Sequence, residues 1–569
     1  MTPGPLFFHI SPDGCGEARL ARLFRRNGHA AVCHDGGRLA EDILFAKASG
    51  GDALTRWPGT VLFSGLYRHA PHWRPPLEAW RHFPWLADRF PQAHFILTLR
   101  QVEDWIRDRL NRDNGAAARC HAHHRNRDPA DLPALWRADW HAHQAAVEAF
   151  FKDDLRLIRV DLDRDTPADL AARLDALLAL PDAGWQQGWF PKADDPPDAG
   201  PAPSRHKAEQ LDLDYVRRIA DFCLGRREPS VGQGGLSEYF SIWDGQKTVT
   251  DRNGNKRRMA VLDDVAVSAP DRPFKLIRAE GVINDALRLG RPMPLRIDME
   301  DSRWFGSPQG DPLAAPVLCH NRRKGARNAV LWPLPDQHAI GLPGFDPAAV
   351  PDPIPWKDKL DRVVWRGMIS GSERTGGVKP GPASHVLLRD LAAAGNDPAR
   401  RQAAWDRLSN TNRLAFVRQW FDHPDFDLGV VMAWGYRQFA SDPLLAPYCT
   451  PRQDRGFFHR FRYQLCMTGY DHGSNFIAAI DSQSVLLAEE DGWEVFYSGC
   501  FQPWKHYIPL ERYCADIAEK LAWARANPNE CKAMAAAARQ EAALLRRPAT
   551  RRARRCIRQV ERALECIMH

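Results

Sequence analysis

Residues 465–510 constrain this chain more than any other part of its sequence. A short apolar run leads through a glycine-containing loop at 468–474 into a predicted helix, and a second apolar run follows at 484–488. Apolar runs of this length on either side of a helix are typical of buried parallel strands. The segment therefore predicts a β-loop-α-β unit with polar side chains at its strand ends.

The loop at 468–474 has the composition of a phosphate-binding site. Gly469 and Gly473 allow the backbone to approach a ligand closely, and Ser474 and Asn475 stand at the start of the predicted helix. The amino-terminal end of a helix attracts anions, so we expect this loop to hold a diphosphate without a metal ion. Glycine-containing loops occur in many α/β proteins, and the surrounding motifs must therefore decide the interpretation.

Three further motifs occur in the chain, namely RIDMED at 296–301, WRGMISGS at 365–372 and NRLAFV at 412–417. Together with the segment 465–510 they resemble glycosyltransferase family 90, and most closely its bacterial lipopolysaccharide branch. The resemblance covers residues 239–527 and implies a two-lobed GT-B enzyme. We expect an amino-terminal, acceptor-side lobe at 206–355 and a carboxyl-terminal, nucleotide-sugar lobe at 356–569.

Inverting glycosyl transfer needs a base for the acceptor hydroxyl and positive potential for the leaving diphosphate. The resemblance implies that Asp301 is the base and that Arg413 pairs with the diphosphate, with Arg374 as a rival for the second role. Further donor-binding residues are expected at Arg366, Gly367, Ser370, Gly371 and Glu489. The sugar or acceptor site is expected to include Asp298, Trp493 and His506, although aromatic side chains also fill protein cores.

The first 190 residues alternate apolar runs with helical patterns, which predicts a parallel sheet covered by helices. The run FILTLRQVEDWIRDRL at 95–110 and the loop before residue 17 resemble the P-loop fold of bacterial sulfotransferases. In this chain Asp13 and Glu17 stand beside the expected phosphates, and Asp108 replaces an expected serine. Carboxylates repel a polyanion, which argues against donor binding here.

The segment 191–205, rich in Pro, Asp and Ala, is predicted to be a linker.

Composition indicates a globular protein of several domains, with 569 residues of which 44% are hydrophobic and 26% charged. The twelve cysteines include no CxxC pair, and no apolar run reaches the length of a membrane span or a signal peptide. We therefore expect a cytoplasmic protein with reduced thiols.

A basic amphipathic helix is predicted after Pro548. It would lie either on the anionic inner membrane or across the two lobes, and nucleic-acid binding is not expected.

The sequence suggests no cofactor. The group Cys120, His121, His123 and His124 lacks a second ligand pair, and no DxD motif stands out as a metal site on the nucleotide. We expect a metal-independent, inverting transferase that moves a sugar of the glucose, galactose or xylose class from a UDP-sugar to a lipopolysaccharide, capsule or other cell-surface glycan. Two alternatives stay open, a bifunctional glycosyltransferase-sulfotransferase and a non-catalytic glycan-binding scaffold.

Overall fold

The computed structural model describes residues 5–69, 75–125, 127–181, 213–229, 231, 234–262, 265–269, 276–288, 293–334 and 352–546. The chain divides into two compact units, one formed by Met1–Leu211 with Ile242–Pro294 and the other by Asp212–Ser241 with Leu295–His569. The predicted linker at 191–205 and the predicted basic helix after Pro548 lie outside the described residues. Within the described ranges, no helix combines the length and the apolar character needed to cross a bilayer.

The first unit is built on a parallel sheet. Its strands are short and mostly buried: β1 (Phe7–His9), β2 (Ala31–Cys33), β3 (Leu62–Ser64), β4 (Tyr67–Arg68), β5 (Leu77–Glu78), β6 (His94–Leu99) and β7 (Leu157–Asp161). Five of them pair in parallel in the order β2-β3-β1-β6-β7, which places β1 at the centre. Helices cover the sheet at Glu17–Arg26, Arg38–Ser49, Phe83–Arg89, Val102–Asn111, Ala116–Arg125, Leu132–Phe150 and Pro167–Leu174.

An antiparallel segment completes this unit. It contains β8 (Ser241–Trp243), β9 (Thr248–Asp251), β10 (Lys256–Leu262), β11 (Val265–Ser268) and the helix Leu276–Arg288, and β10 pairs with both β9 and β11. Ala260 and Val267 are buried in the same apolar cluster as Phe8 and Phe95. Residues Ile242–Pro294 therefore group with the first unit, which differs from the predicted lobe boundary at residue 206. The reason is that their apolar side chains join the core of the first unit.

The second unit contains two groups of parallel strands. The first consists of β12 (Leu295–Ile297), β13 (Val317–Cys319) and β15 (Ala329–Leu331). The second contains β16 (Leu360–Gly367), β17 (Phe426–Val430), β18 (Phe461–Cys466), β19 (Val485–Glu489) and β21 (Ile508–Leu510). The short strands β14 (Arg322–Arg323) and β20 (Trp493–Glu494) pair antiparallel with each other. The helices of this unit are Leu213–Leu224, Ser384–Ala393, Pro398–Ser409, Asn412–Trp420, Arg455–His459, Phe476–Ala479, Ile517–Ala526 and Pro528–Arg546.

The strand order of the sheet that contains β16 and β18 indicates where a ligand could bind. The order is β17-β16-β18-β19-β21. The first of these strands in the chain, β16, therefore has β17 on one side and β18, β19 and β21 on the other. In open parallel sheets the connections diverge at such a reversal, and a crevice forms at the carboxyl ends of the two central strands. Those ends lead into the loops 368–372 and 467–475. The parallel sheets confirm the predicted α/β class, while the narrower P-loop and GT-B assignments stay predictions.

A buried ion pair ties the strands together at their amino-terminal ends. Lys359 Nζ lies 2.8 Å from Asp352 Oδ2, and the two side chains are 0% and 2% exposed. Lys359 also donates to the carbonyl oxygen of His459, just before β18, and Asp352 accepts from the Gln483 backbone N–H, just before β19. The pair thus links the starts of β16, β18 and β19.

Replacing Lys359 with alanine would leave the Asp352 carboxylate buried without its ammonium partner. We expect this change to lower the stability of the protein by about 3–5 kcal/mol, because a buried charge loses its compensation. Thermal melting of the full chain measures the effect, and Lys357→Ala, at an exposed position two residues earlier, is the matched control. Equal melting temperatures for the two variants would refute the structural role of the pair.

Candidate functional site

Three titratable side chains from three strand ends converge in the second unit. Asp301 follows β12, His320 directly follows β13, and Asp471 follows β18. His320 Nε2 lies 3.6 Å from Asp301 Oδ1 and 3.6 Å from Asp471 Oδ2. The Asp301 side chain is 32% exposed whereas that of His320 is 7% exposed, so the aspartate faces solvent above a buried imidazole. Among the described residues, these three offer the donor set that could hold a metal ion.

Backbone geometry positions the cluster. Ser302 has a φ of 58°, a left-handed conformation that turns the chain sharply after Asp301. In this turn the Ser302 N–H donates to Asp471 Oδ2 at 3.3 Å, and Ser302 Oγ donates to the Tyr470 carbonyl oxygen at 2.5 Å. Asn321 Nδ2 donates to the same Asp471 oxygen at 2.9 Å. These bonds join the end of β12 to the 467–475 loop.

Arg413 holds the same loop from its other side. Its Nε donates to the Thr468 carbonyl oxygen at 3.0 Å and its Nη2 to that of Met467 at 2.9 Å. Its Nη1 donates to Ser370 Oγ at 2.6 Å and to the Met368 carbonyl oxygen at 3.2 Å. Burial lowers the pKa of Arg413. The structure thus brings Arg413, Ser370 and the 467–475 loop together, with a cation between the two loops.

Glycine is required where these loops pack closely. A Cβ on Gly473 would lie 2.5 Å from Cys466 Sγ and 2.7 Å from the Met467 carbonyl oxygen. A Cβ on Gly371 would lie 1.8 Å from Asn412 Oδ1. A Cβ on Gly469 would lie 3.0 Å from the guanidinium of Arg413. These three of the four predicted glycines therefore lie where the backbone packs closely against neighbouring protein groups.

The predicted helix after the loop is shorter than the sequence pattern suggested. It comprises only the four residues Phe476–Ala479, and so few aligned peptide dipoles provide little attraction for an anion. Asn475 uses its side chain locally, because Nδ2 donates to the Leu465 carbonyl oxygen at 3.0 Å and Oδ1 accepts from Cys466 Sγ at 3.2 Å. Ser474 is exposed. Anion binding here would depend on loop N–H groups and Arg413.

Glu489 holds the 467–475 loop in place. Its Oε2 accepts from the Thr468 N–H at 2.8 Å and from the Thr468 hydroxyl at 2.7 Å, while Oε1 accepts from the Tyr513 N–H at 2.7 Å. Burial raises the pKa of Glu489. The carboxylate is occupied by protein donors, and its expected role in donor binding stays a prediction.

Two other predicted donor residues belong to β16. Arg366 donates to the Asp427 carbonyl oxygen at 2.7 Å and to the Asp427 carboxylate, so its charge is directed toward β17. The carbonyl oxygen of Gly367 accepts from the Val431 N–H at 2.8 Å. The rival residue Arg374 donates to Asn410 Oδ1 at 3.1 Å. The described contacts of all three arginines lie within the protein, and those of Arg413 bridge the two loops.

The three residues predicted for the sugar or acceptor site are not brought together. Asp298 is 0% exposed, and its carboxylate accepts from the Ser237 N–H and hydroxyl at 2.8 Å each, so it has no surface to offer an acceptor. Trp493 packs against the guanidinium of Arg323 at 4.8 Å. His506 precedes β21, toward the amino-terminal ends of the strands, and accepts from the Gln502 N–H at 2.8 Å.

In the first unit, carboxylates of the protein occupy the loop expected to hold phosphate. Glu17 Oε1 accepts from the Gly14 N–H at 3.0 Å and from the Tyr67 hydroxyl at 2.9 Å. Asp13 is 1% exposed and pairs with Arg109 at 3.0 Å. Although burial opposes it, Arg109 and neighbouring cations hold the pKa of Asp13 below its ordinary value. Arg100 donates to Asp108 at 2.7 Å. The donors that a phosphate would need are thus engaged.

Sequence reasoning missed His320, Asn321 and Asp471. Each lies at or beyond the carboxyl end of a parallel strand, as Asp301 does, and this position was an available signal for His320. Asp471 belongs to the loop that was predicted to bind phosphate because of its glycines, and no role was predicted for its carboxylate. No local pattern indicated that these residues meet Asp301.

Comparison with known proteins identifies one part of the chain. The profile of Glycosyl transferase family 90 matches residues 453–543, which include β18, the 467–475 loop and β19. Protein O-glucosyltransferase 3 of Mus musculus is 30% identical over 78 residues, which are 14% of this chain and 16% of that protein. Uncharacterized protein 027R of Frog virus 3 (isolate Goorha) is 28% identical over 196 residues, 33% of this chain and 18% of that protein.

Uncharacterized protein 035R of Invertebrate iridescent virus 3 is similar at 29% identity over 190 residues, 32% of this chain and 14% of that protein. The chain thus spans less than a fifth of the length of each of these relatives. The resemblance of the first 190 residues to sulfotransferases stays a prediction. For residues 453–543, the match confirms the resemblance seen in the sequence: this segment is similar to glycosyl transferase family 90.

Proposed function

We propose that this protein is an inverting glycosyltransferase that transfers a sugar from a UDP-sugar to a glycan, with Asp301 as the base. The family match supports a glycosyltransferase. One observation carries the finer proposal: the 467–475 loop contacts Arg413 through Met467 and Thr468 and reaches the turn after Asp301 through Tyr470 and Asp471. A base and a cation thus flank one loop at the reversal point of a parallel sheet.

On the donor side, the leaving diphosphate is neutralised by protein groups without a metal bound to it. Arg413 has five N–H donors, and those described above are aimed at four loop acceptors. Its charge therefore lies at the base of the crevice between the loops 368–372 and 467–475. A fixed cation in a site of low dielectric stabilises developing negative charge more than water does, because it need not reorganise.

On the acceptor side, the partly exposed carboxylate of Asp301 takes the proton of the attacking hydroxyl. A positioned base of this kind contributes about 10²–10⁴-fold to a rate. Direct attack on the anomeric carbon from the face opposite the diphosphate inverts its configuration. The donor class we propose is UDP-glucose, UDP-galactose or UDP-xylose.

The acceptor is proposed to be a lipopolysaccharide, capsule or other cell-surface glycan precursor. This choice rests on the motifs at 296–301, 365–372 and 465–510, which resemble the lipopolysaccharide branch of the family. We place the enzyme in the cytoplasm, where nucleotide sugars are available. The basic segment after Pro548 would bring it to the inner membrane when the acceptor is lipid-linked.

The two alternatives are less well supported. Sulfation as a second activity would need the first unit to hold a nucleotide, yet Glu17 fills the loop after β1 and Asp13 engages Arg109. A non-catalytic scaffold would not require the partly exposed carboxylate of Asp301 beside the 467–475 loop, which lies in the segment that matches the glycosyltransferase family. Turnover of a donor is the measurement that separates an enzyme from a scaffold.

Changing Asp301 to asparagine removes the base and preserves the shape of the side chain. We expect kcat for sugar transfer to fall by about 10²–10⁴-fold with little change in the affinity for UDP. Release of UDP from the three candidate donors, with a glycan acceptor present, measures the rate. Asp406→Asn, on the exposed face of a helix, is the control. Full activity in Asp301→Asn would exclude Asp301 as the base.

Changing Gly473 to alanine tests the donor loop, since the new methyl group would overlap Cys466 Sγ and the Met467 carbonyl oxygen. The displaced loop should bind UDP about tenfold more weakly, which corresponds to 1.4 kcal/mol. Titration calorimetry with UDP measures the affinity. Gly435→Ala is the matched control because a Cβ there meets nothing within 4 Å. Equal affinities in both variants would place UDP elsewhere.

A further inference from the structure

We propose that Asp301, His320 and Asp471 form a binding site for a divalent transition-metal cation. The inference deepens the proposed function, because it places a cation beside the proposed base. It departs from the sequence-based expectation of a metal-independent transferase with no bound metal ion. The evidence is the position and chemistry of three side chains.

The ligand atoms have the spacing that a metal needs. His320 Nε2 lies 3.6 Å from one oxygen of each aspartate, and the three ligand atoms all lie within 4.8 Å of one another. Bonds of about 2.0–2.2 Å at tetrahedral angles place ligand atoms ~3.3 Å apart, so small side-chain rotations would close the site. Two carboxylates with one imidazole suit Mn²⁺ or Zn²⁺.

The imidazole of His320 is buried and lies beside the Asn321 amide. Asn321 Oδ1 accepts from the Arg303 N–H at 2.9 Å, which orients the amide so that Nδ2 is the donor. This Nδ2 lies 2.8 Å from His320 Nε2, so Nε2 accepts a hydrogen bond from Asn321, and a cation bound by Nε2 would take the place of this bond. His320 is 6% exposed, and its Nδ1 has no hydrogen-bond partner among the described residues.

The surroundings of Asp471 point the same way. Its Oδ2 accepts from two neutral donors, the Ser302 N–H and Asn321 Nδ2, and its one ion-pair partner within the described chain is His320. The buried Asp352, by contrast, has the Lys359 ammonium at 2.8 Å. Neutral donors orient a ligating carboxylate without cancelling its charge, and such outer contacts typically accompany metal ligands.

A cation at this position would act on the acceptor. It would lower the pKa of a hydroxyl or water molecule bound to it, as divalent cations do in proteins. The acceptor hydroxyl would then lose its proton to Asp301 more readily. The leaving diphosphate would still be neutralised by Arg413, on the other side of the 467–475 loop.

The test is a titration of the full chain with Mn²⁺ alone, monitored by the electron paramagnetic resonance signal of free Mn²⁺. We expect one ion per chain, and an affinity at least about tenfold lower in His320→Ala and in Asp471→Asn. His423→Ala and Asp406→Asn are the controls, since both replace exposed side chains of the same unit and should bind like the wild type. Circular dichroism verifies the fold of each variant.

Two results would overturn the inference: no saturable binding of Mn²⁺ or Zn²⁺ at millimolar concentration, or unchanged affinity in Asp471→Asn, the more conservative of the two changes. Turnover of UDP-sugars is measured separately. Binding of Mn²⁺ by a protein without turnover would leave the cation site standing and refute the proposed function. Turnover without Mn²⁺ binding would do the reverse.

Discussion

The guanidinium of Arg413 holds the ends of two parallel strands at a fixed distance from each other. By donating to the carbonyl oxygens of Met467, Thr468 and Met368, it joins the loop after β18 to the loop after β16. Backbone carbonyls exposed at a sheet reversal need donors, and a planar cation with five N–H groups supplies several at once. The crevice at this edge therefore depends on one buried charge.

The loops in the two units deal with charge in opposite ways. After β1, the Gly14 N–H is taken by Glu17, and Asp13 is held by Arg109, so anionic side chains fill the place where an anion would bind. After β18, the carboxylate of Asp471 meets only neutral donors and an imidazole among the described contacts. Carboxylates of the chain thus fill the first loop, whereas in the second loop the ion-pair partner of Asp471 among the described residues is His320.

Several features were predictable because their cause is local. The apolar runs that became β1, β6, β16 and β18 follow from the burial of parallel strands on both faces. Gly469 and Gly473 could be recognised as sites of close backbone approach. The helix after Asn475 was overestimated, because the apolar pattern of 476–480 suits a buried turn as well as a long helix. The hydrogen bonds from Ser237 to Asp298 and from Tyr513 to Glu489 could not be predicted, because these partners are distant in sequence.

The sequence by itself determined the α/β class, the strand ends that carry polar side chains, and the family resemblance of residues 453–543. The tertiary structure decided which of those strand ends meet. His320 and Asp471 reach Asp301 only because β12 pairs with β13 and because Ser302 and Asn321 bond to the loop after β18. Strand order and loop-to-loop hydrogen bonds join residues far apart in the chain, and no short-range pattern encodes them.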